Sequence, residues 1–231
     1  MRKNKPIDIS ESLPDIWRIL NEEEHKLIRE SARFINLSKN EIVYYENDKP
    51  VDFMCLLKGK IKIYKEGVGG RSQIVRVVRP VQYFGYRAYF AEEPYVTTAA
   101  AFESSVVCLI PMKIIEQILR NNGSLAMLLI RLLSIDLGVS DRRVVNLTQK
   151  HIRGRLAESL IFLKESYGLE EDGATIGVYL AREDLANLSN MTTSNAIRTL
   201  SIFEKERIIS LDGRKIKIID EDRLQKISRI G

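Results

Sequence analysis

The sequence predicts an α+β protein with a β-rich N-terminal domain, one long helix and a C-terminal winged helix-turn-helix. Three observations support this fold class. Short apolar runs separated by glycines fill residues 35–111, a proline-free apolar stretch covers 124–149, and two helical patterns followed by a hairpin pattern occupy 181–218. The predicted domains are residues 1–123, residues 124–150 and residues 151–231.

The first domain is predicted to begin with helices and to continue as antiparallel strands. Apolar side chains around Trp17 and Ile28 give its start a helical pattern, and the alternation in 61–65 is typical of a half-buried strand. So many short strands favour a sandwich or a barrel. The glycine-rich stretch 66–70 is interpreted as a hairpin tip, because no helix follows it as one follows a phosphate-binding loop. The predicted strands are Glu41–Tyr45, Phe53–Leu57, Lys60–Lys65, Gln73–Val78 and Ser105–Ile110.

The long helix is predicted to form a parallel homodimer. Only Gly138 interrupts its pattern, and at about 1.5 Å per residue the helix is roughly 39 Å long. Because one small domain cannot bury a helix of that length, a second copy is expected to cover part of it. A core helix within one chain is the alternative. The predicted coiled-coil seam, with alternating spacings of three and four, is Leu125, Leu128, Leu132, Ile135 and Val139.

The C-terminal domain has the spacing of a helix-turn-helix. Residues 182–188 form a short amphipathic helix, and Asn190 suits a turn position that needs positive φ. Thr192 is a good N-cap for a second helix that runs to about Lys205. The exposed end of this helix is short and polar, as in a helix that enters the major groove of DNA. A structural pair of helices is the alternative.

A hairpin pattern follows the second helix. Two apolar strand patterns, 208–211 and 215–219, surround Asp212-Gly213. Such a pair predicts a type I′ turn between two antiparallel strands. The hairpin would form the wing beside the helix pair, so that the domain as a whole is predicted to bind DNA.

Composition indicates a reducing, aqueous compartment. The 231 residues are 45% hydrophobic, and no N-terminal apolar run or long uncharged apolar stretch is present. We therefore expect no signal peptide, no membrane span and a cytoplasmic location. Cys55 and Cys108 are expected to be core residues. From His151 onward 13 basic residues balance 13 acidic ones, so binding to DNA would depend on where the cations lie.

The order of these parts resembles the Crp/Fnr family of bacterial transcription regulators along nearly the whole chain. Residues 57–61 resemble the family's strand-glycine-strand element, 83–85 resemble its F-x-G element, and 154–157 resemble the start of its helix before the winged helix. The resemblance implies an N-terminal β-roll of the cyclic-nucleotide-binding type, a double-stranded jelly roll. It also implies a homodimer that binds an inverted repeat in double-stranded DNA, acts with RNA polymerase and responds to a small-molecule effector.

The resemblance assigns roles to residues of the winged helix. Arg182 and Thr192 would contact phosphates, and Thr193 and Ser194 would reach base edges. Arg198 is the residue expected to read a guanine. The complete expected DNA-binding set is Arg182, Thr192, Thr193, Ser194, Asn195, Arg198 and Lys215.

Two departures from the family pattern argue against cyclic AMP and cyclic GMP. Family members that bind them place a glutamate after the F-x-G glycine and an Arg-Ser pair on the next strand, where this chain has Tyr86 and Val96-Thr97. A phosphate buried against Val96 would lack its counter-charge, at a cost of several kcal/mol. Either another effector binds, or Tyr86, Arg87 and Tyr89 fill the pocket and nothing binds. The expected pocket residues are Gly85, Tyr86, Arg87, Val96, Thr97, Thr98, Ser140 and Asp141.

Neither catalysis nor a cofactor is expected. The sequence has no catalytic triad pattern, no metal-spaced cluster and no phosphate-binding loop, and two separated cysteines cannot supply the four thiolates of an iron–sulfur centre. Haem is an alternative, with His25, His151, Cys55 or a methionine as axial ligand. The alternative function is a ligand-binding regulatory module with the same β-roll that acts through protein partners; the winged helix argues against it.

Overall fold

Residues 9–67 and 72–230 are described by the computed structural model of this chain. The predicted hairpin tip at 66–70 falls largely outside these residues and remains a prediction. Contacts between residues divide the chain into two units, which consist of residues 1–66 with 75–137 and residues 67–74 with 138–231.

Three short helices open the first unit: α1 (Ile9–Ser12), α2 (Pro14–Trp17) and α3 (Glu22–Ser31). A capping box starts α3, because the Asn21 side chain accepts a hydrogen bond from the Glu24 amide (3.0 Å) and the Glu24 carboxylate accepts one from the Asn21 amide (2.9 Å). Trp17 stacks on His25 with ring centroids 4.1 Å apart. The predicted helical start is therefore confirmed.

Eight strands follow: β1 (Arg33–Leu37), β2 (Ile42–Tyr44), β3 (Asp52–Lys58), β4 (Ile61–Glu66), β5 (Ser72–Val78), β6 (Tyr83–Phe84), β7 (Thr98–Ala101) and β8 (Ser105–Pro111). They form two four-stranded sheets in the orders β1-β8-β3-β6 and β2-β7-β4-β5. Side chains such as Leu56, Ile61 and Val107 are buried together in one core cluster. This double-sheet arrangement confirms the predicted sandwich-like domain.

The sequence did not predict three strands and two helices of this unit. β1 carries polar residues on both faces, β6 has two residues, and β7 consists mostly of alanine, which has a low strand propensity. The additional helices are α4 (Tyr86–Phe90) and α5 (Met112–Leu119). Gly85 adopts φ 85° at the start of α4, and this left-handed conformation turns the chain from β6 into the helix.

The long helix α6 spans Gly123–Gln149, as predicted to within one residue. The Asn122 side chain accepts a hydrogen bond from the Leu125 amide (3.0 Å) and donates one to the carboxylate of Glu24 (2.9 Å). Farther along, Asp136 forms an ion pair with Arg76 of β5 at 2.7 Å. These contacts attach the N-terminal half of α6 to its own unit.

The structure contradicts the predicted dimer seam at Leu125. Leu125 is fully buried in the core of its own unit, and Leu128 and Leu132 pack partly against the same core. These three leucines attach α6 to its own chain. Because Leu125 is fully buried there, it cannot contact a partner helix. Ile135 and Val139, the remaining members of the predicted seam, are about half exposed.

A different apolar stripe of α6 is exposed. Met127, Ile130, Leu137 and Val144 are 64%, 55%, 63% and 59% exposed. Their spacings of three and seven residues place them on one side of the helix; we call this set the outer stripe. By length and composition, Gly123–Asn146 could also cross a membrane. Composition alone therefore does not support the expectation that the chain has no membrane span. One such helix is weak evidence, because the core helix of a soluble protein has the same length and composition.

The second unit contains α7 (Ile152–Tyr167), α8 (Arg182–Leu188), α9 (Thr193–Lys205), β9 (Ile209–Asp212), β10 (Lys215–Ile218) and α10 (Glu221–Ile230). The predicted helix pair and hairpin are confirmed. The predicted turn is wrong, because Asp212 pairs with Lys215 and the central residues are therefore Gly213 and Arg214. Of these two only Gly213 has positive φ (54°), whereas a type I′ turn needs it at both.

Truncation of a core residue of α6 tests how the helix is anchored. Leu129→Ala should lower the free energy of unfolding by about 2–5 kcal/mol, since the leucine is 4% exposed and its loss leaves a cavity. Val51→Ala is the control in the same unit; Val51 is 64% exposed, so its truncation should cost less than about 0.5 kcal/mol. Denaturant unfolding followed by the fluorescence of Trp17, the only tryptophan, measures both. Equal effects would contradict the anchoring of α6.

Candidate nucleic-acid interface

The helix pair α8–α9 is held by a small apolar core. Leu185 and Ala186 of α8 and Ala196, Leu200 and Phe203 of α9 are buried, each at most 1% exposed. The small alanines allow the two helices to approach closely. This packing fixes α9 with one side inward and its polar N-terminal end outward, as the sequence predicted.

The turn between the helices depends on Asn190 and on a residue that sequence reasoning did not single out. Asn190 has φ 49°, as predicted for this position. The Arg155 guanidinium donates hydrogen bonds to the backbone carbonyls of Lys150 (3.1 Å), Ser189 (3.2 Å) and Asn190 (3.2 Å). It thereby satisfies carbonyl groups at the end of α8 that have no helical partner. The only signal in the sequence was the GRLA stretch, which carries Arg155.

A second arginine cluster joins α7, α9 and α10. Glu206, at the end of α9, accepts two hydrogen bonds from Arg153 (2.8 and 2.9 Å) and one from Arg223 (3.1 Å). These arginines, Arg153 first, hold the pKa of Glu206 below its usual value. The Arg153 guanidinium also lies 5.2 Å from the ring centroid of Phe203. These contacts therefore hold the C-terminal end of α9 in place. The end that is predicted to read DNA is the other, N-terminal end.

The N-terminal end of α9 presents polar side chains to solvent. Thr192 caps the helix by accepting a hydrogen bond from the Asn195 amide at 3.2 Å, and Thr193 and Ser194 are exposed. Arg198 is exposed and donates to the Asn195 side chain at 3.0 Å. A short polar end with one oriented guanidinium has the donors and acceptors that base edges require.

Arg182 occupies a different environment from the predicted one. Its guanidinium donates to the carbonyl of Gly213 at the wing turn (2.6 Å). Burial, then the nearby charge of Arg214, lowers its pKa. Arg182 is therefore tied to the tip of the wing rather than extended freely from α8.

The wing lysines lie beside carboxylates. Lys215 Nζ is 3.6 Å from the carboxylate of Glu170 and 5.1 Å from the ring centroid of Tyr179. Lys217 Nζ is 3.1 Å from the carboxylate of Asp172. Lys215, which the sequence placed in the DNA-binding set, is thus partly neutralised within its own domain.

The predicted effector residues of the first unit lie in different environments, and only some of them are buried. Tyr86 is buried in the core beside Phe53, and burial raises its pKa to about 12. Arg87 is exposed and forms an ion pair with Glu93 at 2.6 Å. Tyr89 donates a hydrogen bond to Glu116 (2.8 Å). Of the three residues expected to fill the pocket, only Tyr86 is inside.

Among the remaining predicted pocket residues, those of the first unit have separate hydrogen-bond partners. Val96 is 45% exposed, and its backbone carbonyl accepts a hydrogen bond from Lys65 (3.1 Å). Thr97 hydrogen bonds to Tyr44, and Thr98 accepts one from the Glu46 amide (3.1 Å). Ser140 and Asp141 are exposed on the part of α6 that belongs to the second unit, and their role remains a prediction.

Two of the candidate haem ligands, His25 and Cys55, have other partners. His25 Nε2 lies 2.9 Å from the Trp17 carbonyl oxygen, and its ring stacks on Trp17. The Cys55 thiol donates to the carbonyl of Ser12 at 3.3 Å, and burial raises the pKa of both cysteines, that of Cys108 to about 12. Cys55 and Cys108 are buried core residues, as predicted. Within the described residues no group of three or more histidine, cysteine or acidic side chains could hold a metal ion.

Comparisons with known proteins agree with this architecture. Residues 34–122 match the cyclic nucleotide-binding domain family, and residues 154–227 match the Crp-like helix-turn-helix domain family. The chain is 21% identical over 196 residues to the CRP-like cAMP-activated global transcriptional regulator of Mycobacterium tuberculosis (84% of this chain, 88% of the relative). It is 25% identical over 196 residues to the anaerobic regulatory protein of Bacillus subtilis (84% and 82%).

A solved structure shows the same fold over almost the full length. A transcriptional regulator of the Crp/Fnr family from Eubacterium rectale superposes with a TM-score of 0.81 at 19% identity, covering 95% of this chain and 99% of the other. The two domain matches lie on either side of α6, in the order of that fold. The chain belongs to the Crp/Fnr family of bacterial transcription regulators.

Proposed function

We propose that this protein is a cytoplasmic, homodimeric transcription regulator that reads an inverted-repeat operator through the N-terminal end of α9 and acts with RNA polymerase. The observation that carries this proposal is the exposed set Thr193, Ser194 and Arg198 on a helix whose other face is buried. No observation favours the alternative of a module that acts only through protein partners.

Within this set, the residues have different tasks. Arg198 is oriented by Asn195, and a guanidinium so placed suits the two acceptors of guanine in the major groove. The Thr192 hydroxyl is used as a helix cap, so Thr192 holds the start of α9 in addition to any phosphate contact. Thr193 and Ser194 supply exposed hydroxyls that donate or accept.

The outer stripe of α6 is the surface that supports dimer formation. Its apolar members Met127, Ile130, Leu137 and Val144 are exposed in one chain, and a parallel pair of helices would bury such a row at spacings of three and four when Ser134 and Asp141 are included. Two polar residues in a seam cost stability and help to fix its register. Two subunits related by a two-fold axis then present two α9 helices to one face of DNA.

The effector is proposed to be something other than a cyclic nucleotide. The relative from M. tuberculosis is described as cAMP-activated, whereas the relative from B. subtilis is described as an anaerobic regulatory protein. Here Tyr86 is buried and Val96 provides no charge. The nearby arginines are neutralised, because Arg76 pairs with Asp136 and Arg87 with Glu93. A cyclic phosphate would therefore lack a cation that is free to bind it.

Arg198→Ala tests the reading of bases. We expect a loss of about 1–3 kcal/mol in operator affinity and relaxed preference at one base pair of each half-site, with half-sites about 10 base pairs apart. Binding to operator variants, measured by fluorescence anisotropy, resolves affinity and preference together. Lys205→Ala, at the far end of α9, is the control and should leave the preference unchanged. Unaltered preference in Arg198→Ala would place the recognition surface elsewhere.

Leu137→Asp tests the dimer surface. A charge in the middle of the outer stripe should shift the protein toward monomer, and operator affinity should fall with it, since one half-site supplies too little binding energy. Light scattering measures the mass across a concentration series. Ser140→Asp adds the same group at another exposed position of α6 and should remain dimeric. A dimer of undiminished stability in Leu137→Asp would move the interface away from the outer stripe.

Calorimetric titration tests the effector proposal. Cyclic AMP and cyclic GMP should give no binding heat at ligand concentrations up to about 1 mM, because a phosphate without a counter-charge is costly to bury. Any effector that switches the protein must bind its DNA-competent state more tightly than the other state. Micromolar binding of either nucleotide would contradict the proposal, because residues 85–98 would then form a cyclic-nucleotide site.

A further inference from the structure

Four cations lie at the wing, and the structure divides them into two classes. Lys215 and Lys217, on β10, each lie beside a carboxylate. Arg182 and Arg214, at the wing turn, lie near each other, and Arg214 has no ion-pair partner among the described residues. Only the second class is free to neutralise an added anion.

The carboxylates belong to one turn, Glu170–Asp172, which we call the acidic turn. Asp172 accepts hydrogen bonds from the amides of Ala174 (3.0 Å) and Thr175 (2.8 Å) and from the Thr175 hydroxyl (2.8 Å). These donors, with Lys217 as a weaker contributor, hold the pKa of Asp172 well below its usual range. The carboxylate is therefore fully charged at neutral pH.

The acidic turn is attached to the wing by backbone hydrogen bonds. The Ile176 amide donates to the Ile216 carbonyl (2.9 Å), and the Ile218 amide donates to the Ala174 carbonyl (2.9 Å). Thr175 is bridged to Lys217 in antiparallel register. Residues 174–176 thus form a third row beside β10, and this row holds the carboxylates of the acidic turn next to the lysines.

The two arginines are arranged in the opposite way. Arg182 is held by the Gly213 carbonyl (2.6 Å), while its Nη1 is buried without a hydrogen-bond partner among the described residues. Arg214 follows Gly213 directly and is exposed. The charge of Arg214 disfavours the charged form of Arg182, and the carboxylate of Glu204 offsets this only in part. A bound anion would relieve this repulsion.

We propose that Arg214 binds phosphate at the wing turn beside Arg182, for which the family resemblance already implies a phosphate contact, and that the acidic turn keeps Lys215 and Lys217 from binding DNA. This inference rests on the proposed function and sharpens it, since it names which wing cations touch the backbone. It also reverses the expectation for Lys215. The acidic turn then limits affinity for DNA of any sequence, because two cations per subunit are neutralised internally.

Salt dependence distinguishes the two classes of cation. Each phosphate neutralised contributes about 0.9 to the slope of log affinity against log salt, so Arg214→Gln should reduce the slope of the dimer by about 1.8. Lys217→Gln removes the same charge on β10, three residues after Arg214, and should leave the slope unchanged. The slopes are measured by fluorescence anisotropy with the full chain and both an operator and an unrelated duplex. An unchanged slope in Arg214→Gln, or an equal loss in Lys217→Gln, would overturn the proposal.

The acidic turn is tested separately. Glu170→Gln should free Lys215 and make the slope steeper, by up to about 1.8 for the dimer, with tighter binding to the unrelated duplex. Glu171→Gln is the matched control, because Glu171 is exposed in the same turn and has no ion pair among the described residues. Equal effects of the two variants would overturn the role of the turn. If the unaltered protein showed no salt-dependent binding to any duplex, the proposed function itself would fail, which is a different result.

Discussion

One helix with two apolar sides determines how this protein is built. The N-terminal half of α6 buries Leu125 and Leu129 in its own core, and the ion pair of Arg76 with Asp136 fixes its rotation. Once that rotation is fixed, Met127, Ile130 and Leu137 must point outward, since residues on one helix cannot change faces independently. The exposed stripe is therefore a consequence of how the first unit packs, and covering it is the simplest reason for a second copy.

The second unit depends on partly buried arginines that join its helices. Arg155 joins the start of α7 to the carbonyls at the end of α8, and Arg153 joins α7 to the end of α9 through Glu206. Guanidinium groups suit this task because their donors are arranged in a rigid plane. The orientation of α9, on which any reading of bases depends, is thereby set from both ends.

The sequence predicted the elements of the winged helix better than it predicted the surfaces of α6. The helix pair, the Thr192 cap and the positive φ of Asn190 are local properties, and all are confirmed. Spacing alone does not decide which side of α6 meets a partner, because the helix has two registers of alternating spacing. The more apolar register begins with Leu125, which the core of its own unit buries, since a core requires apolar residues as much as an interface does. The exposed register contains the polar residues Ser134 and Asp141, so its apolar pattern is less evident in the sequence.

Other features could not be predicted from the sequence because they depend on contacts between residues that are far apart in the chain. The strand β7 is mostly alanine, and only pairing with β2 and β4 makes it a strand. The type of the wing turn follows from a register in which Asp212 faces Lys215. The pairing of Glu170 with Lys215 joins residues 45 positions apart, and nothing in the local sequence of either indicates it.

These contacts explain how the C-terminal part can expose cations although its charges are balanced. From His151 onward the chain has equal numbers of basic and acidic residues, so its net charge gives no reason to approach DNA. However, several of the carboxylates are used internally: Glu206 by Arg153 and Arg223, Glu221 by Lys164, and Glu158 by Lys150. Arg198 on α9 and Arg214 at the wing turn have no such ion pair among the described residues. A neutral domain thereby presents cations where the helix and the wing are exposed, and affinity for DNA follows from the arrangement of charge rather than from its total.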